Sequence, residues 1–419
     1  MQSPTSKTQS SPTPIITKII NELVENRKDE IEKWFESTFA NTPPFFYNSV
    51  DLRNSGYKIA PVDTNLFPAG FNNLNEGERE RAIKVTDDFF KKHYPDAQNI
   101  LLIAEDHTRN LYYLENLAIL SNIISKTGRN LVLTNFATAT SGETTEFTSH
   151  SGKPVKFTPI VKHNGKVMTF EGFIPDIVIV NNDLTSGAPD IITDIEQPVS
   201  PPVGFGWYQR RKTSHFDTYN NLARDFCYKF NIDPWLITTY FEHCGVVNFK
   251  ERKGIECVAL NVDKTLAKIQ AKYDEYGIKE QPYVFIKSDR GTYGMGIMTA
   301  RSGDELFDMN KDVRKKMNAI KGGNINTEVI IQEGVPTVDT VDNNPAEPMI
   351  YLIGSQPVGC IYRLNTKKSS YENLNASGMQ FTSISEQNGG KKICNTVGLI
   401  SRLAAYSSAW ECYSESYSI

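Results

Sequence analysis

Lys287 closes an apolar run, Tyr283 to Lys287 (YVFIK), that has the length and composition of a strand. The next residues, SDRGTYGM, carry Gly291, Gly294 and, just beyond, Gly296, a GxxGxG turn leading into a second strand, Gly296 to Ala300. Glycines lack a Cβ, so backbone N–H groups in such a turn can approach anionic oxygens closely, and a lysine at the strand end adds a point charge for phosphate. The Walker pattern GxxxxGK[ST] is absent, and a dinucleotide fingerprint leads into a helix, whereas this loop leads into a strand. A tight hairpin with a solvated lysine is the alternative reading. A second set of chemically capable residues lies in WYQRRKTSHF, where Arg210 and Arg211 offer forked donors suited to carboxylates, with His215 nearby. A solvated basic turn or an ion pair is the alternative there. Glu196 and Gln197 end a segment expected to be a strand, where α/β sites tend to lie, and Asp106, His107 and Arg109 also follow a strand end, where they line a cleft or form a capping network. His243 beside Cys244 is read as packing, since neighbours in sequence do not bring their side chains together.

These residues need a scaffold of several elements. The chain has 419 residues, with 39% hydrophobic and 22% charged residues, enough to bury a sizeable core in two or three domains. Its net charge of −4 lacks the basic excess that a nucleic-acid partner demands, and no apolar run reaches membrane length. Six cysteines without a CxxC pair suit reduced thiols in a cytoplasm. Residues 1–14 read as a disordered Ser/Thr/Pro tail. Apolar spacing then predicts a helix from Ile16 to Phe35, another from Glu78 to Lys92, a strand Asn99 to Ala104, a helix Asn110 to Lys126 and a strand Asn130 to Thr134, the βαβ grammar of a parallel sheet. A hairpin or loop excursion, Ala137 to His163, precedes strands at Ile174 to Val180 and Ile191 to Ile195. Helices follow at about Ser214 to Phe230 and at Asp263 to Tyr276, the latter stopped by Gly277, and Ser302 with Glu305 reads as a capping box opening a helix to Ile320 with Gly322 as its stop. Strands at Glu328 to Gln332, Met349 to Ile353 and Val358 to Arg363 lead to a last helix near Val397 to Ala409. The expected organisation is an N-terminal α/β domain over 15–205, a central, mainly helical segment over 206–280 that lines a substrate site, and a nucleotide-binding region over 281–419.

Several blocks carry a resemblance. IIQEGV at 330–335 resembles the linker strand of ATP-grasp enzymes, and Glu347, Arg363 and ENLNASG (372–378) resemble the metal-binding and transition-state end of that fold. Together with EDHTRNLYYLENLAIL (105–120), DIEQPVSPPVGFGWYQRRKTSHF (194–216), FIKSDRGTYGMGIM (285–298) and EPMIYLIGSQPVGCIYRLN (347–365), they are similar to the proteobacterial ATP-dependent glutamate–cysteine ligase family, over roughly residues 15 to 405. The resemblance implies an α/β ATP-grasp fold and ATP-dependent formation of γ-L-glutamyl-L-cysteine through a γ-glutamyl phosphate, the first step of glutathione synthesis. It implies ATP bound by Lys287, Gly291, Thr292, Tyr293, Gly294, Gly296, Gln332, Glu333 and Val335, and Mg²⁺ held by Glu347, Glu372, Asn373 or Asn375, since oxygen ligands suit that ion. Arg363 is the expected catalytic cation for the oxyanion, beside Lys287, and Arg210, Arg211 and His215, then Glu196 and Gln197, are the expected substrate ligands. L-Glutamate and L-cysteine are the implied partners. Another ATP-grasp carboxylate–amine ligase, such as a glutathione synthetase or dipeptide ligase, and an ATP-binding protein without ligase activity are the competing readings.

Overall fold

The computed structural model describes residues 15–291, 296–318, 327–384 and 390–416. The predicted tail and Gly322 lie outside them. Three larger sheets and the helices between them form a mixed α/β architecture. The βαβ unit forms as expected: Asn99–Ala104, nearly all buried, pairs in parallel with Asn130–Asn135 across the helix Leu111–Ser125. On its other side lie Ile177–Asn181 and then Val199–Ser200, also parallel. The strand order therefore reverses direction between Asn99–Ala104 and Ile177–Asn181. The strand expected at Ile191 to Ile195 is instead a turn, and the sheet edge is taken by Val199–Ser200. Between residues 136 and 169 the chain makes a short helix and two hairpins, the expected excursion.

A second sheet orders Gln380–Ser383, Gln356–Leu364, Asn344–Ile353, Tyr47–Asn54 and Ile59–Asn65, all antiparallel. A third orders Phe241–Gly245, Glu328–Glu333, Val284–Ser288 and Met298–Ala300. These pairings cross the boundaries expected at residues 205 and 280. Tyr47–Asn54 and Ile59–Asn65 belong with strands some 300 residues later, and Phe241–Gly245 joins the sheet of the glycine loop, because strand partners are chosen by buried faces rather than by chain order.

Local signals fix the helix ends. Asn75 and Glu78 form a capping box at 3.0 Å in both directions, opening Glu76–His93, whose last turn carries Lys91, Lys92 and His93 against the helix dipole. Ile255–Tyr276 ends on left-handed Gly277. The predicted box at Ser302 does not form: Glu305 accepts from the N–H of Arg301 at 3.1 Å, and after a 3-10 turn the helix is Lys311–Met317, capped by Asn310. The single helix predicted from Ile16 is two, Ile15–Asn26 and Lys28–Thr38. The final helix, Gly390–Ser416, lies across the second sheet and against Lys212–Phe230 and Ile15–Asn26. Cys360 on the sheet and Cys394 on this helix form a disulfide, correcting the expectation of reduced thiols; a separation of 34 residues leaves no motif to read.

The second and third sheets are joined by a buried ion pair. Lys58, in the turn before Ile59–Asn65, places its Nζ 2.7 Å from Glu333 Oε1, which also accepts from Trp235 Nε1 at 3.0 Å, while the N–H of Tyr240 donates to Oε2 at 2.9 Å. Burial pushes the Lys58 ammonium down to about 8, with Glu333 working against that shift. Removing one partner of such a pair strands the other charge, so Lys58→Met should cost about 3–5 kcal/mol in chemical denaturation, and the double variant Lys58→Met/Glu333→Leu should recover most of it. Equal losses in the single and double variants would show that the pair does not act as a unit.

Candidate functional site

The strand Tyr47–Asn54 (YNSVDLRN) is buried almost throughout yet carries Asp51 and Arg53, and Ile59–Asn65 (IAPVDTN) carries Asp63. Asp51 and Asp63 are cross-strand partners. The register slips between Asp51 and Leu52, leaving Val62 unpaired, and its carbonyl accepts from Lys287 Nζ at 2.9 Å. Lys287 also donates to Gln332 Oε1 at 2.7 Å, a diagonal neighbour on the same face. Burial pushes the Lys287 ammonium down to about 8. Gly291 and Gly296 both hold positive φ, 96° and 61°, so the glycine loop leaves and rejoins the sheet through conformations that side chains resist.

Arg363 is the centre of the charged network. It faces Glu347 across the strand pair Asn344–Ile353 and Gln356–Leu364, donating to it through Nε at 2.9 Å, and it forms a second ion pair with Asp51. Glu347 is held on its other oxygen by Arg53 Nε at 2.6 Å. Burial would raise the Glu347 carboxyl, but the two guanidinium groups overcome it and hold it below the usual carboxylate range. Asp51 is pushed the other way, by burial and by the nearby Glu347 and Asp63. Lys212 pairs with Asp63 at 2.7 Å, its ammonium 4.2 Å from the Trp207 ring centre.

Two adjoining chambers result. The smaller is lined by five cations, Arg53, Lys212, Lys287, Arg290 and Arg363, against three carboxylates, Asp51, Asp63 and Glu347, with Gly291, Asn373 and Asn375 on its wall. The larger, about 1190 Å³, opens at the carboxyl ends of the parallel strands and is lined there by Glu105, Asp106, Arg109, Asn181 and Asp183. Asp51, Asp63, Arg363 and Asn375 line both.

The predicted site is thus partly assembled and partly corrected. Lys287, Gly291, Glu347, Arg363, Asn373 and Asn375 come together, and Gln332 holds Lys287. Gly296 ends the loop. Thr292, Tyr293 and Gly294 lie outside the described residues. Glu333, next to Gln332, faces away, as alternate strand residues must, and its carboxylate is enclosed by Lys58, Trp235 and Tyr240 rather than open to a ribose. Val335 is buried off both chambers. Glu372 turns to Lys368 and Ser369 and takes no part in the chamber wall; only its backbone carbonyl does work there, accepting from Arg53 at 2.5 Å.

None of the expected substrate ligands lines these chambers. Arg210 and His215 are buried behind them with Glu411: His215 Nδ1 lies 2.5 Å from Glu411 Oε1, and Arg210 donates to the carbonyl of Thr64 at 2.7 Å. Burial lowers the His215 imidazole, with Glu411 opposing. Arg211 pairs with Glu328, Gln197 closes a backbone bridge to Val167, and Glu196 is exposed beside Lys166. Sequence reasoning chose the arginines of RRK and missed Lys212, and it missed Asp51, Arg53 and Asp63. Their signal was a lone charge inside an otherwise buried strand. Asp106, His107 and Arg109 do line the cleft. His243, Asp289 and Glu328 lie within metal-binding reach of one another, but Asp289 accepts from Thr213, and Glu328 is taken by Arg211 and Arg290. Cys244 points away from His243 and sits 2.9 Å from Cys257.

Paired chambers of unlike charge, meeting at a buried arginine, define a two-chamber α/β enzyme. The sequence profile of the glutamate–cysteine ligase family (GshA) matches residues 21–411. A candidate gamma-glutamylcysteine synthetase from Methylobacillus flagellatus KT has a crystal structure that superimposes with a TM-score of 0.86 at 37% identity, covering 99% of this chain and 100% of that one. Fainter similarities are to D-alanyl-alanine synthetase A of Vibrio cholerae O1 biovar eltor str. N16961 (9% identity, TM-score 0.33, 73% of this chain and 80% of that one) and to a glutathione synthetase-like effector of Globodera pallida (10%, 0.38, 83% and 76%); neither bears on the argument. No curated protein matches. The chain belongs to the glutamate–cysteine ligase family, and its function is to join glutamate to cysteine. No helix among the described residues is long and apolar enough to cross a membrane.

The placement of Arg210 changes what its loss should do. Arg210→Met should lower stability by about 3–5 kcal/mol, since Glu411 stays buried, while KM for glutamate moves less than about twofold. A large KM change in a protein of unaltered denaturation midpoint would return Arg210 to the substrate site.

Proposed function

We propose that this ligase acts in the cytoplasm by converting the γ-carboxyl of L-glutamate to an acyl phosphate at the expense of ATP and letting the amine of L-cysteine displace the phosphate. The observation that carries the reading is the position of Arg363 on the wall shared by the two chambers. The smaller chamber has an excess of cations, as a polyphosphate requires, and the glycine loop borders it. A carboxylate is a poor acyl donor, and its phosphorylation rests on positioning and charge neutralisation. Lys287 and Lys212 supply point charges for the phosphates. Arg363, fixed by Glu347 and Asp51, needs no reorganisation as negative charge develops, first on the transferring phosphoryl group and then on the tetrahedral oxyanion. Phosphate leaves as the amide forms.

A magnesium ion fits the donor chemistry. Asp51, Asp63 and Asn375, which line both chambers, offer the hard oxygen ligands it takes. Bound there, the ion would neutralise phosphate charge. Glu347, gripped by Arg53 and Arg363, acts by holding Arg363.

The decisive experiment is ADP release from Mg·ATP and L-glutamate with and without L-cysteine, with mass detection of the product. Cysteine-dependent γ-glutamylcysteine supports the proposal; ADP release only with other acceptors shifts it to another carboxylate–amine ligase, and no turnover with any amino acid favours an ATP-binding protein. Arg363→Lys keeps the charge but loses the fork, and kcat should fall by about 10²–10³. Lys287 is charged only below its lowered pKa, so kcat/KM for ATP, which reports the free enzyme, should fall as pH rises past about 8. In Lys287→Arg that alkaline limb should vanish, because guanidinium stays protonated. A limb that persists unchanged would assign it to another group.

A further inference from the structure

The larger chamber has features that the ligation chemistry near Arg363 does not use. It opens where the parallel sheet reverses direction, between the carboxyl ends of Asn99–Ala104 and Ile177–Asn181, the usual crevice for small ligands in open α/β sheets. Residues following both strands reach it: Glu105 and Asp106 from one, Asp183 from the other. Glu105 Oε1 accepts from the N–H of Asp183 at 2.9 Å, and Asp106 Oδ1 accepts from the N–H of Ala137 at 3.1 Å, so both carboxylates are held by backbone. Arg109 is the cation at this end, and the other arginine of the chamber, Arg363, lies at the junction.

A separate observation points to an anion on this wall. Asn116, on the helix Leu111–Ser125, is buried, with Oδ1 accepting from the N–H groups of Gly70 and Phe71 at 2.8 and 2.9 Å. That pairing fixes the amide orientation, and Nδ2 is left as a buried donor with no acceptor. Trp207, also on the wall and buried, has an unpaired Nε1–H. Buried donors without acceptors are rare and costly. The Asn116 donor and an exposed arginine on the wall of one chamber suit a carboxylate.

We infer that this end of the chamber binds the α-amino-acid head of glutamate, the α-carboxylate on Arg109 and Asn116 and the α-ammonium on Asp106 and Glu105, leaving the γ-carboxyl at the Arg363 junction. The inference rests on the ligase reading above and assigns the head group within it. Chemistry decides between the two amino acids. The amine of cysteine is the nucleophile, so it must lose its proton and reach the junction; a distant acidic crevice would hold it charged and out of reach. The ammonium of glutamate is a spectator that stays charged, three carbons from the reacting carboxyl. Anchoring that head is what makes the γ-carboxyl, and not the α-carboxyl, the one that is phosphorylated.

The test uses glutamate and two analogues as acyl donors with the full-length enzyme: 4-aminobutyrate, which lacks the α-carboxylate, and glutarate, which lacks the amine. Arg109→Ala should lower kcat/KM for glutamate about 10- to 100-fold while changing that for 4-aminobutyrate less than about twofold. Asp106→Asn, which keeps an oxygen for the Ala137 N–H, should lower efficiency with glutamate by about 10-fold or more and leave glutarate unchanged. KM for ATP and for cysteine should be unaltered in both. Equal losses with all three donors would mean a structural role and overturn the assignment, as would a rise in KM for cysteine in place of glutamate. No γ-glutamylcysteine from the unaltered enzyme would instead sink the ligase reading, and this inference with it.

Discussion

Arg363 binds together strands that lie some 300 residues apart in the chain. Buried and ion-paired to both Glu347 and Asp51, it ties a strand from the C-terminal part of the chain to one from the N-terminal part, and Arg53 extends the network by gripping Glu347 from the other side. A group of charges like this is costly to desolvate and is tolerated only when every member is paired. The pairing also has a chemical consequence. A guanidinium fixed by two carboxylates is preorganised, and it stands where the cationic chamber meets the larger one.

The two chambers divide the electrostatic labour. One gathers cations from four segments, Arg53, Lys212, Lys287 with Arg290, and Arg363, with Gly291 on its wall. The other is acidic at the crevice of the parallel sheet and carries Arg109 and the unpaired donors of Asn116 and Trp207. The buried Lys58–Glu333 pair fastens the sheet of Asp51 and Asp63 to the sheet of Lys287, so the two halves of the cationic chamber keep their separation. Behind it, Arg210, His215 and Glu411 brace the final helix against Lys212–Phe230.

Much of the site was legible in the primary structure because it is local. The glycine loop after a strand, the lysine that ends that strand, the arginine ending IYR and the asparagines of ENLNASG each sit within a short motif, and the βαβ unit with its strand-end residues Asp106 and Arg109 follows from periodicity. The expected substrate ligands do not line the chambers, because a basic run shows only that charge is available. In RRKTSHF the helix begins at Lys212 after an extended Arg211, so the three basic side chains leave the chain in different directions. Lys212 reaches Asp63 and the chamber, while Arg210 is buried against Glu411 and Arg211 meets Glu328. Glu333 faces away from the chamber for the corresponding reason in a strand, where its neighbour Gln332 has the chamber face.

The sequence by itself determined the α/β class, the order of most helices and strands, the family and the half of the site that lies in continuous motifs, because these depend on residues within a few turns of one another. Only the tertiary structure decided which charges meet. Asp51 and Asp63 come to face Lys287, Glu347 and Arg363 through antiparallel pairing across some 300 residues, and Cys360 reaches Cys394 through the packing of a helix on a sheet. Such pairings are set by which buried faces fit together, and a face is a property of the folded sheet, not of any stretch of chain.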